Sequence, residues 1–310
     1  MAKKIIFDTD PGVDDTMALT FALRSPELEV VGVTSVFGNA AGPITAQNAL
    51  RLVELEGNDH IPVAHGADRG IIVPAIELAS EVHGADGMGN TNQPAPKGKL
   101  LDISAAQFIV ETVMANPGEI TLVPVGPLTN IGLALRLEPK IAEMAKEVII
   151  MGGAAYIPGN ITPLAEANIY HDPHAAQMVF SAGWQVTMVG LDATHQVVMQ
   201  NSHFDKIFSA DNPAANLLRE ITPCYRSFFN DVYALDGAVY THDPSAVAYA
   251  IDPSLFEVRK APIVMETEGL CMGKTIPDEE NRWVNYQPTN ICVGAKADAV
   301  LDMIVERLTK

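Results

Sequence analysis

Cysteine is scarce: Cys224, Cys271 and Cys292 are the only three, far apart and in no CxxC spacing. So sparse and odd a set argues against a disulfide framework and suits reduced thiols in the cytosol. Basic residues are also few, 20 against 38 acidic ones, for a net charge of −18. Nucleic acid or an anionic membrane as main partner would need the opposite balance. Highly charged phosphates are disfavoured as substrates for the same reason, unless a bound metal reverses the local sign. No stretch approaches the ~20 apolar residues of a membrane span. In "MAKKIIFDTD" acidic residues interrupt the apolar run before it could serve as a signal peptide. "GADGMG" has its glycines in the wrong order for a GxGxxG loop, and no Walker A sequence occurs. With no linker, low-complexity tract or internal repeat, the expectation is a single cytoplasmic domain over residues 1–310.

What the chain does have is apolar content, 48%, in a regular alternation. "KKIIFD", "LEVVGVTSV", "EITLVPV", "EVIIMGG" and "WQVTMVGL" have the composition of strands. Between them "DDTMALTFALRS", "PITAQNALRLVELEG", "ISAAQFIVETVMAN", "GPLTNIGLALRL" and "DPHAAQMVFSAG" have helical spacing. Continuous apolar strands separated by helices predict an α/β fold, with an open, mostly parallel, doubly wound sheet covered by helices on both faces. Beyond residue 200 the pattern turns mostly helical, then gives strands at "FEVRKAPIVMET" and "NICVGA" and a closing helix "ADAVLDMIVERL". The glycine-rich segment 83–98 is expected to be a long mobile loop.

In such a sheet ligands bind beyond the carboxyl ends of the strands, and the polar motifs gather there. "IIFDTDPGVDD" sets Asp8, Asp10, Asp14 and Asp15 within eight positions. Asp14 and Asp15 would favour the dipole of the following helix by ~0.3–1 kcal/mol each. That leaves Asp8 and Asp10, at the strand end, without compensation. A cation answers the repulsion, and an all-oxygen donor set points to calcium or magnesium rather than zinc. "YTHDPSAV" supplies His242 and Asp243; Asp243 is equally well an N-cap before Pro244. "GNITPLAEAN" offers Asn160, Glu166 and Asn168 as groups for sugar hydroxyls. In "HDPHA", His171 and His174 fit a helix start with exposed imidazoles.

Together "DTDPGVDD", "GN" at 38–39, "HGADGMGN", "VPVGPLTNIGLAL", "IIMGGA", "AEANIYHDPHAA" and "HDPSAVAYAIDPSLF" resemble the inosine–uridine nucleoside hydrolases over residues 5 to about 256. The resemblance implies a Rossmann-like sheet, a homodimer or homotetramer, and calcium-dependent hydrolysis of the N-glycosidic bond of ribonucleosides to free base and ribose. It implies that Asp10, Asp15, Asp243 and the Val125 carbonyl ligate Ca2+, and that Asp14, Asn39, Asn168 and Asp243 hold the ribose diol. Asn160 and Glu166 would meet the 5′-hydroxyl, and Met151 would lie against the sugar. Asp10 would activate the metal-bound water, and His242, with an ordinary imidazole pKa, would protonate the leaving base. His83, Tyr225, Phe229 and Tyr233 would form the base pocket. Ala167 stands where the family often has phenylalanine, which bears on substrate preference. Two other readings compete: a haloacid-dehalogenase-like phosphatase, with Asp8 as nucleophile, Asp10 as acid/base and magnesium, and a non-catalytic calcium-dependent nucleoside binder. "PGVDD" after the DxD opposes the first, and retention of Asp10 and His242 opposes the second.

Overall fold

A computed structural model of the chain describes residues 2–73 and 78–310. Its framework follows from strands that are apolar on both faces. In β1 (Lys3–Thr9) the residues Ile5, Ile6 and Phe7 are all fully buried. Successive strand side chains point to opposite faces, so Ile5 and Phe7 enter one core and Ile6 the other. The remaining strands are β2 (Leu28–Ser35), β3 (Val63–His65), β4 (Ile120–Pro124), β5 (Glu147–Met151), β6 (Val186–Val189), β7 (Val198–Met199), β8 (Val239–Tyr240), β9 (Phe256–Ala261), β10 (Ile263–Met265), β11 (Thr275–Pro277) and β12 (Thr289–Ala295).

Eight of these form one sheet in the order β3-β2-β1-β4-β5-β6-β12-β9. All its pairings are parallel except that of β9 with β12 at the edge. Helices Val13–Leu23, Gly42–Leu55, Pro213–Tyr233, Asp243–Ile251 and Ala297–Thr309 contribute to the core on the Phe7 side. Ala105–Ala115, Thr129–Leu137 and Pro173–Ser181 cover the other face. Side-chain caps start several of them: Ser104 accepts from the Gln107 amide, Asp172 from Ala175, and Asn212 from Ala215.

The expected strands and helices occur close to their predicted places. Short β3, β7, β8 and β11 were not anticipated, because two or three residues carry too little periodicity to register, whereas β10 falls within the expected strand segment "FEVRKAPIVMET". Segment 83–98, expected to be a mobile loop, is tied down along its length. The Asp86 carboxylate accepts the amides of Met88, Asn90 and Asn92. Arg51 donates to Pro94 O, and Glu54 accepts the amides of Lys97 and Gly98.

Strand order reverses between β1 and β4, where crossovers leave in opposite directions and open a crevice. Asp10 follows β1 there, and Val125 and Gly126 follow β4. A Cβ at Gly126 would lie 2.5 Å from Asp10 Oδ1 and 2.9 Å from Val36 Cγ1. Gly126→Ala is therefore expected to lose about 1–3 kcal/mol of stability through overpacking. Chemical denaturation measures this, and an unchanged midpoint would show that the strand ends are not packed as described.

Candidate active site

The floor of the crevice is built from carboxylates that the main chain turns inward. Asp15 lies in the first turn of helix Val13–Leu23. Its Oδ1 accepts from the Thr9 hydroxyl and, at 3.2 Å, from the Asp10 amide. Its Oδ2 accepts from the Gly12 amide at 3.0 Å and from Asn39 Nδ2 at 2.8 Å. Asp10 Oδ2 accepts from the Asn39 amide at 2.8 Å. Asp10 Oδ1 and Asp14 Oδ1 are buried and have no hydrogen-bond partner. Asp243 arrives from the opposite side, on the first turn of helix Asp243–Ile251. Carboxylate oxygens of Asp14, Asp15 and Asp243 lie within 4.8 Å of one another.

Magnitudes decide what this arrangement needs. A helix dipole returns ~0.3–1 kcal/mol per carboxylate, whereas removing an ion from water costs several kcal/mol. The mismatch is visible in the acidities. Burial, and then the neighbouring charges of Asp15 and Asp14, push Asp10 well above the usual carboxylate range. Burial raises Asp14 to about 6. Asp15 rises through burial and the Asp14 charge, and Asp243 through burial and the charges of Asp14, Asp15 and Asp10. An all-oxygen donor set with two unpartnered buried oxygens fits a hard divalent cation.

Above this floor is a cavity of about 340 Å³. Every residue expected at the site lines it, except Asp10 and Asp15, which lie behind its surface. At one end Asn168 Nδ2 donates to the carbonyls of Val125 at 2.7 Å and Met151 at 3.2 Å. Glu166 caps helix Ala167–His171; its oxygens accept the amides of Gly153, Asn168 and Ile169. Asn160 Oδ1 accepts from the Ala167 amide. These three polar side chains are thus held by backbone groups at fixed angles to the cavity.

The other end is aromatic. Tyr225, Phe229 and Tyr233 recur every fourth residue of helix Pro213–Tyr233, so one face carries all three rings. Phe229 stacks on Tyr233 with centroids 5.5 Å apart. The Tyr225 hydroxyl donates to Asp14 Oδ2 at 3.1 Å, so its polar end serves the carboxylate floor. His83 Nδ1 accepts from the Val13 amide and lies 3.8 Å from Asp14 Oδ1. That contact is no ion pair, because burial lowers the His83 pKa to about 4.

Three expectations change. Asp243 is not the cap of its helix: His242 occupies that position, leaving the Asp243 carboxylate to the cluster. His171 is not an exposed imidazole; it is 6% exposed, lines the cavity and leaves Nδ1 unpartnered. His242 does not keep an ordinary imidazole pKa, since burial and the nearby His195 and His83 lower it to about 3. Sequence reasoning also missed Thr194, His195, Phe228 and Tyr240. Thr194 and His195 meet His242 and Tyr240 more than forty residues away, and no local pattern marks any of the four. The phosphatase reading loses its nucleophile: Asp8 is fully buried, does not line the cavity and accepts from Thr34 and Asn130.

Comparison with known proteins agrees with this geometry. The family model of inosine-uridine preferring nucleoside hydrolase matches residues 5–302. A probable uridine nucleosidase 2 of Arabidopsis thaliana is 40% identical over 99% of this chain and 97% of its own length. An inosine-uridine preferring nucleoside hydrolase of Leishmania major is also 40% identical, over 100% of this chain and 98% of its own. The solved structure of a plant nucleoside hydrolase superposes with a TM-score of 0.96 at 36% identity, covering 100% of this chain and 99% of that one.

The raised acidities have a consequence for stability. A carboxyl whose folded pKa exceeds its unfolded value favours folding below the unfolded pKa, and that stability is lost as pH rises through the folded value. For Asp14 the window runs from 3.8 to about 6, and Asp10 and Asp243 extend it upward. His83 and His242, lowered to about 4 and about 3, act in the opposite sense as pH rises to 6.5, so the cation's own effect is decisive: added divalent cation is expected to raise the melting temperature more at pH 8 than at pH 5. Melting curves with EDTA or cation test this; an equal gain at both pH values would contradict a cation held by these carboxylates.

Proposed function

Because the chain belongs to the inosine-uridine preferring nucleoside hydrolases, and is an enzyme of that kind, we propose that it cleaves ribonucleosides of the inosine and uridine type to free base and ribose with calcium. The observation that carries this reading is the buried carboxylate cluster facing an aromatic wall across one cavity. Asp10, Asp15, Asp243 and the Val125 carbonyl would hold the ion. Val125 O already accepts from Asn168, and a carbonyl has a second lone pair to offer. Asp14 belongs with the substrate: its position on the cavity wall, with one oxygen held by Tyr225, suits a ribose hydroxyl. When bound, the ion supplies Lewis acidity to the attacking water and an anchor for the ribose diol.

The chain's own groups do the rest. Asn39, Asn168 and Asp243 bind the diol alongside Asp14, and Asn160 and Glu166 receive the 5′-hydroxyl, with Met151 against the sugar. Asp10 Oδ1, free of any hydrogen bond, takes a proton from the attacking water. Positive charge developing on the ribosyl carbon is met by the preorganised acidic floor. His83, Tyr225, Phe229 and Tyr233 enclose the base. His242 faces it as a hydrogen-bond donor from a neutral ring, because its lowered pKa disfavours imidazolium at rest. The enzyme acts as a single domain in the cytoplasm, as a homodimer or homotetramer.

A reducing-sugar assay on inosine, adenosine, guanosine, uridine and cytidine, with calcium or EDTA, tests the reading. Calcium-dependent ribose release from uridine and inosine is expected, with 2′-deoxynucleosides much slower. Asp10→Ala should lower kcat by about 10²–10⁴-fold. His242→Ala should slow natural nucleosides far more than p-nitrophenyl riboside, whose leaving group is a stable anion that needs no hydrogen-bond donor. Nucleoside binding without release of base from any of the five would leave a non-catalytic binder instead.

A further inference from the structure

His242 can serve a leaving base only if the right ring nitrogen carries its hydrogen. A neutral imidazole has one N–H and one bare nitrogen, and the partner of one nitrogen determines the state of the other. Among the described residues, the side-chain partner of His242 is Thr194, with Oγ1 2.9 Å from Nδ1. Phe229, Tyr240 and His195 surround the ring with centroids 5.7 to 6.2 Å away, an environment that offers Nδ1 little else.

The direction of this bond follows from the threonine. Thr194 is fully buried, where a hydroxyl proton left without an acceptor is costly. Its recorded hydroxyl partner among the described residues is His242 Nδ1 alone. If Nδ1 carried the hydrogen, the Thr194 hydroxyl would accept it and its own proton would have no acceptor. Thr194 therefore donates, Nδ1 is bare, and the hydrogen of His242 resides on Nε2.

The threonine is itself held rigidly by the fold. It ends the short helix Leu191–Thr194 after β6, where the Leu191 amide donates to Gly153 O at 2.8 Å. Asp192 in the same turn accepts the amides of Ala155 and Tyr156, both at 2.8 Å. Gly190 permits the approach, since a Cβ there would lie 2.4 Å from Gly153 O. The loop after β5 and the turn after β6 thus clamp each other. Thr194 arrives opposite His242, 48 residues away in the chain.

We propose that Thr194 is a positioning residue that fixes the tautomer and orientation of His242, so that Nε2–H is presented to the leaving base. This rests on the nucleoside hydrolase reading above for its kinetic consequence, but the tautomer itself does not.

Thr194→Val keeps the shape and removes the hydroxyl; Thr194→Ser restores it. With calcium-loaded protein and uridine, Thr194→Val is expected to lower kcat about 10- to 100-fold while KM changes little. Thr194→Ser should recover most of the loss, and p-nitrophenyl riboside should be nearly insensitive to either change. Solid-state NMR of the 15N-histidine-labelled protein, with the His242 signals identified by their loss in His242→Asn, reads the tautomer directly. Wild type and Thr194→Ser should show Nε2 protonated and Nδ1 bare, and Thr194→Val a second population. A wild-type spectrum with Nδ1 protonated would overturn the inference. So would a Thr194→Val variant with unchanged spectrum and unchanged uridine kcat. If wild type hydrolyses no nucleoside, the functional reading fails, and the spectra still decide the tautomer.

Discussion

Four carboxylates share one buried place, and much of the local structure exists to tolerate them. Asp10, Asp14, Asp15 and Asp243 come from the end of β1, the helix after it and a helix that begins more than two hundred residues later. Each would cost several kcal/mol to bury as an isolated ion. Thr9, Gly12, Asn39 and the Asp10 amide answer Asp15 completely, but Asp10 and Asp14 each keep an oxygen with no partner. Proton uptake or a cation must supply what hydrogen bonds do not. Close glycines belong to the same problem: a side chain at Gly38 or Gly126 would collide with the Asp10 carboxylate.

Around that floor the cavity has two characters. At the Asn168–Glu166 end, polar side chains are locked by backbone amides and carbonyls, which suits the fixed geometry of sugar hydroxyls. At the other end rings at helical spacing form a wall suited to a flat, weakly polar base. Burial sets the protonation states throughout. It raises the carboxyls and lowers His83, His171 and His242, so neutral imidazoles stand beside an acidic cluster. A neutral histidine is useful only if its single N–H points the right way, which makes the groups that orient it part of the chemistry.

Much of the fold was legible because strands buried on both faces must be apolar at every position, and amphipathic helices must repeat every three to four residues. Those constraints act within single segments, so β1, the helix Val13–Leu23 and the closing helix are readable from "KKIIFDT", "VDDTMALTFAL" and "ADAVLDMIVERLT". The aspartate motif declared itself likewise, since like charges so close in a chain need a common counter-charge.

Other properties could be decided only by contacts between distant segments. Asp243 could have been a cap or a member of the cluster, and the placement of His242 at the helix start settled it. His171 and His242 acquired their environments largely from Phe37, Phe229 and His195, none of them sequence neighbours. Thr194 carries no motif and reaches His242 only because the turns after β5 and β6 interlock. Sequence thus determined the longer elements and the acidic residues, because periodicity and charge density are local. Tertiary structure decided which groups are desolvated, which lone pairs are left over and which tautomer a ring adopts, because those depend on what packs against them.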